Sequence, residues 1–310
     1  MIVSSIICLI LNGFLIKVIY RDNELKRMNS YRFLLAIAIS DVVQLITHFI
    51  SGFFTVFQAD LNHTFNKILG AVPGYKLYAL FSLVLAFNRF IAISSPSLDF
   101  CLFSQRAMKL WYIIVFSIAG FFGLGHSSPW ASILYSPQDW SWSYDFDLPF
   151  SRVMKLLGAV VEIGTIFIAG VLYVLIFLNI LFKRNSGQIV KKRDPRDLMV
   201  LSQGCSITTY CTISNILWYN YQYFLPETRV TYMIINYMWI WNSAINPCAH
   251  IIVNKTLRQR MGIVLGPVRK VTTISGWKKV EPVKQMQSRK LPVKAPVNSD
   301  TTDKTKECKF

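Results

Sequence analysis

Long apolar segments alternate with short polar ones along most of the chain. A helix needs roughly 20 apolar residues to cross a bilayer core of about 30 Å, and every one of these segments is that long. The third segment is the least regular, because Lys67, Pro73, Gly74 and Lys76 interrupt it. The pattern predicts seven transmembrane helices: Met1–Tyr20, Phe33–Phe57, Phe65–Ile93, Lys109–Trp130, Val153–Phe182, Leu198–Leu225 and Tyr232–Val253.

A different pattern follows the seventh segment. Leu257, Met261 and Val264 recur at helical spacing opposite a basic face, which predicts a short amphipathic helix on the inner membrane surface. Residues 266–310 are rich in Lys, Pro, Ser and Thr, and this composition predicts a disordered tail. The predicted fold is therefore all-α: a seven-transmembrane helix bundle with a surface helix over residues 1–265, followed by a basic disordered cytoplasmic tail over 266–310.

The composition separates this chain from a soluble basic protein. Hydrophobic residues make up 53% of the 310 residues and charged residues only 16%, whereas soluble proteins carry about 25% charged residues. A net charge of +17 would suggest a nucleic-acid partner, but most Lys and Arg residues fall in alternate loops and in the tail. This placement predicts an outer N-terminus, a cytoplasmic C-terminus and contact with anionic lipid of the plasma membrane, and no nucleic-acid partner.

The cysteines and histidines give no sign of a metal or catalytic site. The six cysteines form no CxxC pair and none lies clearly in an outer loop, so neither a metal site nor an extracellular disulfide is expected. The four histidines are scattered over different segments, which argues against an enzyme, and no cofactor is expected. The lack of an internal repeat argues against many transporters, although a transporter or a non-signalling seven-helix protein is the alternative.

Polar groups inside membrane helices are costly, so each one is a functional candidate. Asp41 lies in the second predicted helix, and Arg89 lies at the inner end of the third. Further polar residues lie in the first and seventh predicted helices: Asn12, Asn242, Ser243 and Asn246. A buried network that joins these side chains to Asp41 would satisfy them mutually, and we predict such a polar hub.

Three segments, taken in order and spacing, resemble rhodopsin-like G-protein-coupled receptors. The start of their second helix is similar to MNSYRFLLAIAISD, and the end of their third helix is similar to NRFIAISSP. Their seventh-helix motif and the surface helix after it are similar to NSAINPCAHIIVNKTLRQRM. The resemblance covers nearly the whole chain. The short loops, the aromatic outer loop and FNRFIAI resemble nematode serpentine chemoreceptors, with class X as the first choice and class T as the second.

The resemblance implies a chemosensory receptor whose inner end activates a heterotrimeric G protein. Arg89, flanked by Asn88 and Phe90, would contact the G protein when the sixth helix moves outward. Tyr173 would turn inward and support Arg89. The seventh helix contributes the residues that repack on activation: Asn246, Pro247 and His250.

The chain also departs from this family pattern. Asn88 replaces the usual acid beside Arg89, so the inactive-state ion pair is lost and higher basal activity is predicted. Thr64 stands where a cysteine is usual, so the common disulfide is absent. Ala71 and Ile240 stand where an aspartate would anchor amines and a lysine would bind retinal, which argues against both ligand types.

Two charged residues in the outer half of the bundle suggest how a ligand is held. Lys76 and Glu162 are predicted at similar depth on neighbouring helices, and we predict an ion pair that lines a pocket, because pairing offsets much of the cost of an intramembrane charge. The alternative is that the Lys76 side chain extends outward to the membrane surface. Trp218 of the sixth helix is a further pocket candidate, and the ligand is either a small molecule or a peptide.

The longest outer loop, from Ala131 to Arg152, is rich in aromatic residues. Trp140, Trp142 and Tyr144 are typical of an interfacial aromatic belt, which we favour over the alternative of a lid above a ligand pocket.

Two segments outside the bundle are candidate modification sites. The sequon that begins at Asn62 lies in an outer loop and is a candidate glycosylation site. At the end of the tail, Ser299, Thr301, Thr302 and Thr305 lie near acids and form a candidate phosphorylation cluster. An arrestin or a kinase is the partner expected there, and an inert polar tail is the alternative.

Overall fold

The computed structural model describes residues 1–60, 62–185, 195–253 and residue 257. It contains ten helices and one two-stranded sheet in these residues. In chain order they are α1 (Ile2–Arg21), α2 (Asn23–Arg27), α3 (Asn29–Phe57), α4 (His63–Gly70), α5 (Gly74–Ser94), α6 (Pro96–Leu102), α7 (Gln105–Ser127), β1 (Ile133–Ser136), β2 (Ser141–Tyr144), α8 (Ser151–Asn185), α9 (Pro195–Phe224) and α10 (Arg229–Val253).

Seven long helices form the predicted bundle: α1, α3, α5, α7, α8, α9 and α10. Five stretches of the described chain are long and apolar enough to cross a membrane by length and composition, namely α1, α3, α4 with α5, α7 and α8. Large apolar side chains such as Phe116, Leu124 and Phe167 are exposed on the outside of the bundle, while polar side chains such as Asp41 and Asn242 are fully buried. This arrangement suits a surrounding of lipid.

The third predicted helix, Phe65–Ile93, is wrong as a single element, because the chain breaks between α4 and α5. Pro73 has no backbone N–H and disfavours a helical conformation of the residue before it, so a helix cannot run smoothly through this point. Ala71 caps the end of α4, and α5 begins at Gly74. Positions can therefore be counted back from Arg89 at helical spacing only as far as Gly74. Thr64 and Ala71 cannot be matched to family positions in this way.

The loop between α7 and α8 contains a β-hairpin, which the all-α prediction omitted. β1 and β2 pair antiparallel, with Tyr135 opposite Trp142, and Trp140 adopts a positive φ of 57° in the turn. The prediction of an interfacial belt is wrong for Trp142 and Tyr144, which are 8% and 9% exposed. Their rings face the bundle because strand side chains alternate between faces, and residues two apart share one face.

Hydrogen bonds to three helices hold the hairpin, although no disulfide forms among the described cysteines. The side-chain amide of Asn66 in α4 pairs with both the N–H and the carbonyl of Tyr135, at 2.9 Å each. Thr55 of α3 bonds the Tyr135 hydroxyl, and Asn236 of α10 donates to the carbonyl of Trp140. These contacts fix the hairpin against the bundle.

The predicted surface helix and tail lie largely outside the described residues. Leu257 is the one residue of that segment that the structure describes; it is helical and fully buried. It packs in a cluster with Leu15 of α1 and Leu25 of α2. The tail over 266–310, including its candidate phosphorylation cluster, is outside the described residues and stays a prediction.

Candidate ligand pocket and polar core

Lys76 and Glu162 form the predicted ion pair. The Lys76 Nζ contacts Glu162 Oε1, and the two side chains are 9% and 6% exposed. The other carboxylate oxygen accepts a hydrogen bond of 2.8 Å from the Tyr219 hydroxyl. The Lys76 side chain therefore does not extend outward, and the geometric prediction is confirmed. A buried pair of this kind is stable only when its remaining hydrogen-bonding groups also find partners, as Glu162 does here.

Local sequence positions both members of the pair. The break before Gly74 places Lys76 in the first turn of α5, which begins deep in the bundle and points this side chain inward. On α8, Gly158 lies one turn before Glu162 and leaves space for the charged cluster. A Cβ at Gly158 would lie 3.3 Å from Lys76 Nζ, 3.4 Å from the Tyr219 hydroxyl and 3.5 Å from the Tyr144 hydroxyl. Because Gly158 has no side chain, α5, α9 and the hairpin can all come close to the ion pair.

The ion pair lines a cavity of about 140 Å³ beneath the hairpin. Trp218 lines the same cavity, as the sequence predicted, and so does Ala71. Trp142 and Tyr144 also line the cavity, which fits the alternative of a lid above a pocket. The sequence analysis missed other lining residues because they lie on four separate helices: Gln44, His48, Tyr75, Phe122, His126, Asn236 and Trp239. A histidine inside a membrane helix, such as His126, was the available signal for the pocket.

Several polar atoms that line this cavity have no hydrogen-bond partner among the described residues. They include both ring nitrogens of His126, the indole nitrogen of Trp142 and the amide oxygens of Gln44 and Asn236. The four side chains are no more than 8% exposed. Buried polar groups are nearly always hydrogen-bonded, so a lining with this many open donors and acceptors fits a site that binds a polar ligand or water.

The residues of the predicted polar hub lie close together, but the network of mutual hydrogen bonds predicted for them does not form among the described residues. The Asn12 amide donates to the Ser243 carbonyl at 2.8 Å, which joins α1 to α10. Asp41 is fully buried, and its carboxylate faces the side chains of Ser243 and Asn246. Its oxygens have no hydrogen bond that meets strict geometry in the described residues. Asn242 is linked differently, because its amide oxygen accepts from the Cys211 thiol, which also contacts the Tyr78 hydroxyl.

At the end of α5 far from the hairpin, Arg89 donates to the Tyr173 hydroxyl at 3.4 Å. Both residues line a second, small cavity together with Asn246 and His250. Phe90 packs against the cluster that contains Tyr173. Pro247 lies inside α10, one residue after Asn246. The structure therefore brings together the motif residues of three helices that the family resemblance grouped.

Asn88 is not part of this group and forms a latch, a pair of hydrogen bonds to two other elements. Its amide oxygen accepts from Ser30 at 2.8 Å, and its amide nitrogen donates to Asp99 at 3.0 Å. Asp99 lies on α6, in the loop between the third and fourth long helices, where partial burial raises the pKa of its carboxyl group. The chain thus keeps an acid near the motif, but holds it on α6 and bonded to Asn88. Sequence spacing gave no signal for this contact.

Asn62 caps the first turn of α4. Its side-chain oxygen accepts from the Thr64 N–H at 2.7 Å, and the residue is exposed. An N-cap asparagine satisfies a backbone donor that the helix leaves open. Its side-chain nitrogen, where a glycan would be attached, is not used by the cap, and glycosylation at Asn62 stays a prediction.

Comparison with known proteins agrees with this architecture. The family model described as serpentine type 7TM GPCR chemoreceptor Srt matches residues 1–273. A crystal structure of squid rhodopsin is similar with a TM-score of 0.66 and 17% sequence identity, over 84% of this chain and 82% of that chain, a likeness that shows the fold alone. No curated protein matches the chain. The chain is thus a multi-pass membrane receptor rather than an enzyme, and it belongs to the Srt family of serpentine seven-transmembrane GPCR chemoreceptors.

Proposed function

We propose that this receptor binds a small molecule from outside the cell, in the pocket beneath the hairpin, and activates a heterotrimeric G protein. The main support for the proposal is that one helix, α5, contributes a residue to each of two sites. α5 contributes Lys76 to the outer pocket and Arg89 to the inner cluster, 13 residues apart, or roughly 20 Å at helical rise. A rigid helix that contacts both sites provides a direct physical link between them.

The cavity favours a small molecule over a peptide. The hairpin forms part of its wall, and its volume of about 140 Å³ is below the roughly 300 Å³ of common ligand pockets. A peptide needs an open groove or an exposed strand edge. An amine ligand is disfavoured because the only carboxylate among the described lining residues, Glu162, is already paired with Lys76. A retinal ligand is disfavoured because Ile240 is fully buried in an apolar cluster.

The finer assignments belong to the same proposal. The Srt label of the matching family model favours class T over class X. The Lys and Arg distribution favours an outer N-terminus, a cytoplasmic C-terminus and residence in the plasma membrane with anionic lipid at the inner leaflet. An arrestin or a kinase is the partner proposed for the tail.

Substitution of Arg89 tests coupling. Arg89→Ala removes the cation that lies at the inner cavity, so we expect loss of G-protein activation at unchanged surface expression. The measurement is nucleotide exchange on a panel of G proteins in cells, both basal and with an odorant panel. Arg106→Ala is the matched control, because Arg106 is also a cytoplasmic arginine but is exposed at the start of α7. Equal activity in wild type and Arg89→Ala would contradict the proposal and favour the non-signalling alternative.

The hydrogen bonds of the Asn88 latch predict an unusual effect of an acidic substitution at this position. Asn88→Asp alone would place two carboxylates in contact, since the amide nitrogen of Asn88 now faces Asp99. We expect this variant to loosen α6 rather than restore a stable inactive state. Asn88→Asp combined with Asp99→Asn keeps the hydrogen bond, moves the negative charge beside Arg89 and should lower basal nucleotide exchange about two- to fivefold, as an ion pair of about 0.4–1 kcal/mol would.

Asp99→Asn alone is the control for this exchange, because it removes the charge without placing one on α5. If the double variant kept the basal exchange of the wild type, the position of the acid would have no influence on activation.

A further inference from the structure

The outer pocket is electrically neutral although it contains two full charges. Lys76 and Glu162 are the only Lys, Arg, Asp or Glu side chains among the described residues that line it, and they pair with each other. The lining histidines, His48 and His126, form no ion pair with any described acid, and we take them as neutral. A ligand that enters this pocket therefore meets a dipole rather than a net charge.

The open hydrogen-bonding capacity of the pair itself is mainly that of a donor. A lysine ammonium has three N–H donors, and among the described residues Lys76 donates only to Glu162. Its Nζ also lies 4.6 Å from the ring centre of Phe122. His126 stacks on Phe122, and a neutral imidazole adds one N–H. Glu162, by contrast, has both oxygens bonded, one to Lys76 and one to Tyr219.

Aromatic side chains form a large part of the remaining lining. Tyr75 and Trp239 contact each other edge to face with ring centres 4.0 Å apart, and Trp218 lies against Trp239 at 5.8 Å. The volume of about 140 Å³ is close to that of a buried cavity that holds benzene, about 150 Å³. The space therefore suits one ring or a short carbon chain with a single polar group.

We propose that the pocket selects small uncharged molecules that carry an acceptor oxygen, such as ketones, esters or alcohols, and that the Lys76–Glu162 pair sets this preference. The acceptor oxygen takes a free N–H of Lys76, and the apolar remainder lies against the aromatic residues. A carboxylate would bring a second negative charge next to Glu162, and an ammonium would bring a second positive charge next to Lys76. Either charge would also lose its hydration in a buried site that has no spare counter-ion.

The inference rests on the proposed function, and it is tested with a series of probe molecules that differ in charge. The probes are acetophenone, benzyl alcohol, benzoate and benzylamine, which share one ring and differ in charge. Their dissociation constants are measured by saturation-transfer NMR on full-length receptor in lipid nanodiscs, with empty nanodiscs as the blank. Wild-type receptor is expected to bind the two uncharged probes at least tenfold more tightly than benzoate or benzylamine.

Variants of the pair should move the preference in opposite directions. Glu162→Gln leaves a net positive pocket and should favour benzoate at least tenfold relative to wild type. Lys76→Met leaves a net negative pocket and should favour benzylamine. The double variant Lys76→Met with Glu162→Gln is neutral again and lacks the donor, so it should bind acetophenone more weakly without gaining either charged probe; it also provides a folded comparison where a single variant fails to fold.

Three results would overturn the inference: tighter binding of a charged probe than of both uncharged probes by the wild type, an unchanged preference in Glu162→Gln, or no binding of any probe. The assay contains no G protein. A failure here therefore concerns ligand selection, whereas a failure of the Arg89 experiment concerns coupling.

Discussion

Lys76→Met is expected to destabilise the folded receptor by about 3–5 kcal/mol, because it leaves the Glu162 carboxylate buried without its counter-ion. Glu162 is only 4% exposed, and Tyr219 would then be the only hydrogen-bond partner of its carboxylate among the described residues. Methionine is close in length to lysine and is apolar, so lost packing contributes little to the effect. The midpoint of thermal unfolding in detergent, compared with that of wild type, measures the change.

The same double variant used for ligand selection is the control for stability. Lys76→Met with Glu162→Gln has no charge to bury, and replacing a whole buried pair by neutral groups is often close to neutral for stability. It should therefore recover most of the loss, and the difference between single and double variants gives the coupling energy of the pair. A double variant as unstable as Lys76→Met would show that the lysine stem, and not the charge pair, supports the fold.

Gly70→Ala is expected to displace the hairpin from the top of the bundle. A Cβ at Gly70 would overlap the carbonyl oxygen of Ile133 and would also come within 3.1 Å of the Trp142 ring. A backbone carbonyl in a paired strand cannot move alone, so the whole hairpin must shift and the Asn66 hydrogen bonds to Tyr135 must weaken. Overpacking of this kind costs about 1–3 kcal/mol. The hairpin then no longer lines the pocket, so binding of acetophenone should fall at least tenfold.

Gly120→Ala is the matched control, because it is the same chemical change in a long helix where an added Cβ meets nothing within 4 Å. It should leave binding unchanged and stabilise α7 slightly through higher helix propensity. Hydrogen exchange at the Tyr135 amide, which Asn66 protects, separates the two variants directly. If Gly70→Ala kept the wild-type hydrogen-exchange protection and the wild-type binding, close contact between α4 and β1 would not be what positions the hairpin.

Local pattern was enough to locate the long helices. The predicted first helix differs from α1 by one residue at each end, and the predicted second, Phe33–Phe57, ends where α3 ends. Such segments form helices because lipid cannot satisfy backbone groups, so composition alone requires internal hydrogen bonds. The depth of Lys76 and Glu162 also followed from sequence, since helical rise converts residue number into distance.

The pattern failed where two signals competed within one segment. Apolar composition favoured a continuous third helix, whereas Pro73 and Gly74 favoured a break, and the break prevailed because a proline ring excludes the helical hydrogen bond whatever surrounds it. The aromatic outer loop was assigned to the membrane surface for a similar reason. Composition says that Trp142 and Tyr144 prefer an interface, but not whether lipid or the bundle provides it.

The sequence by itself determined the long helices, except for the break at Pro73, and the pairing of Lys76 with Glu162. Tertiary structure alone decided other contacts. The Asn88 amide bonds to Asp99, the Asn66 amide bonds to Tyr135, and the hairpin lines the pocket. The physical reason is range. Helix formation in lipid depends on neighbours within a few residues, whereas these contacts join separate elements, and a hydrogen bond between them forms only after packing has fixed their distance and angle.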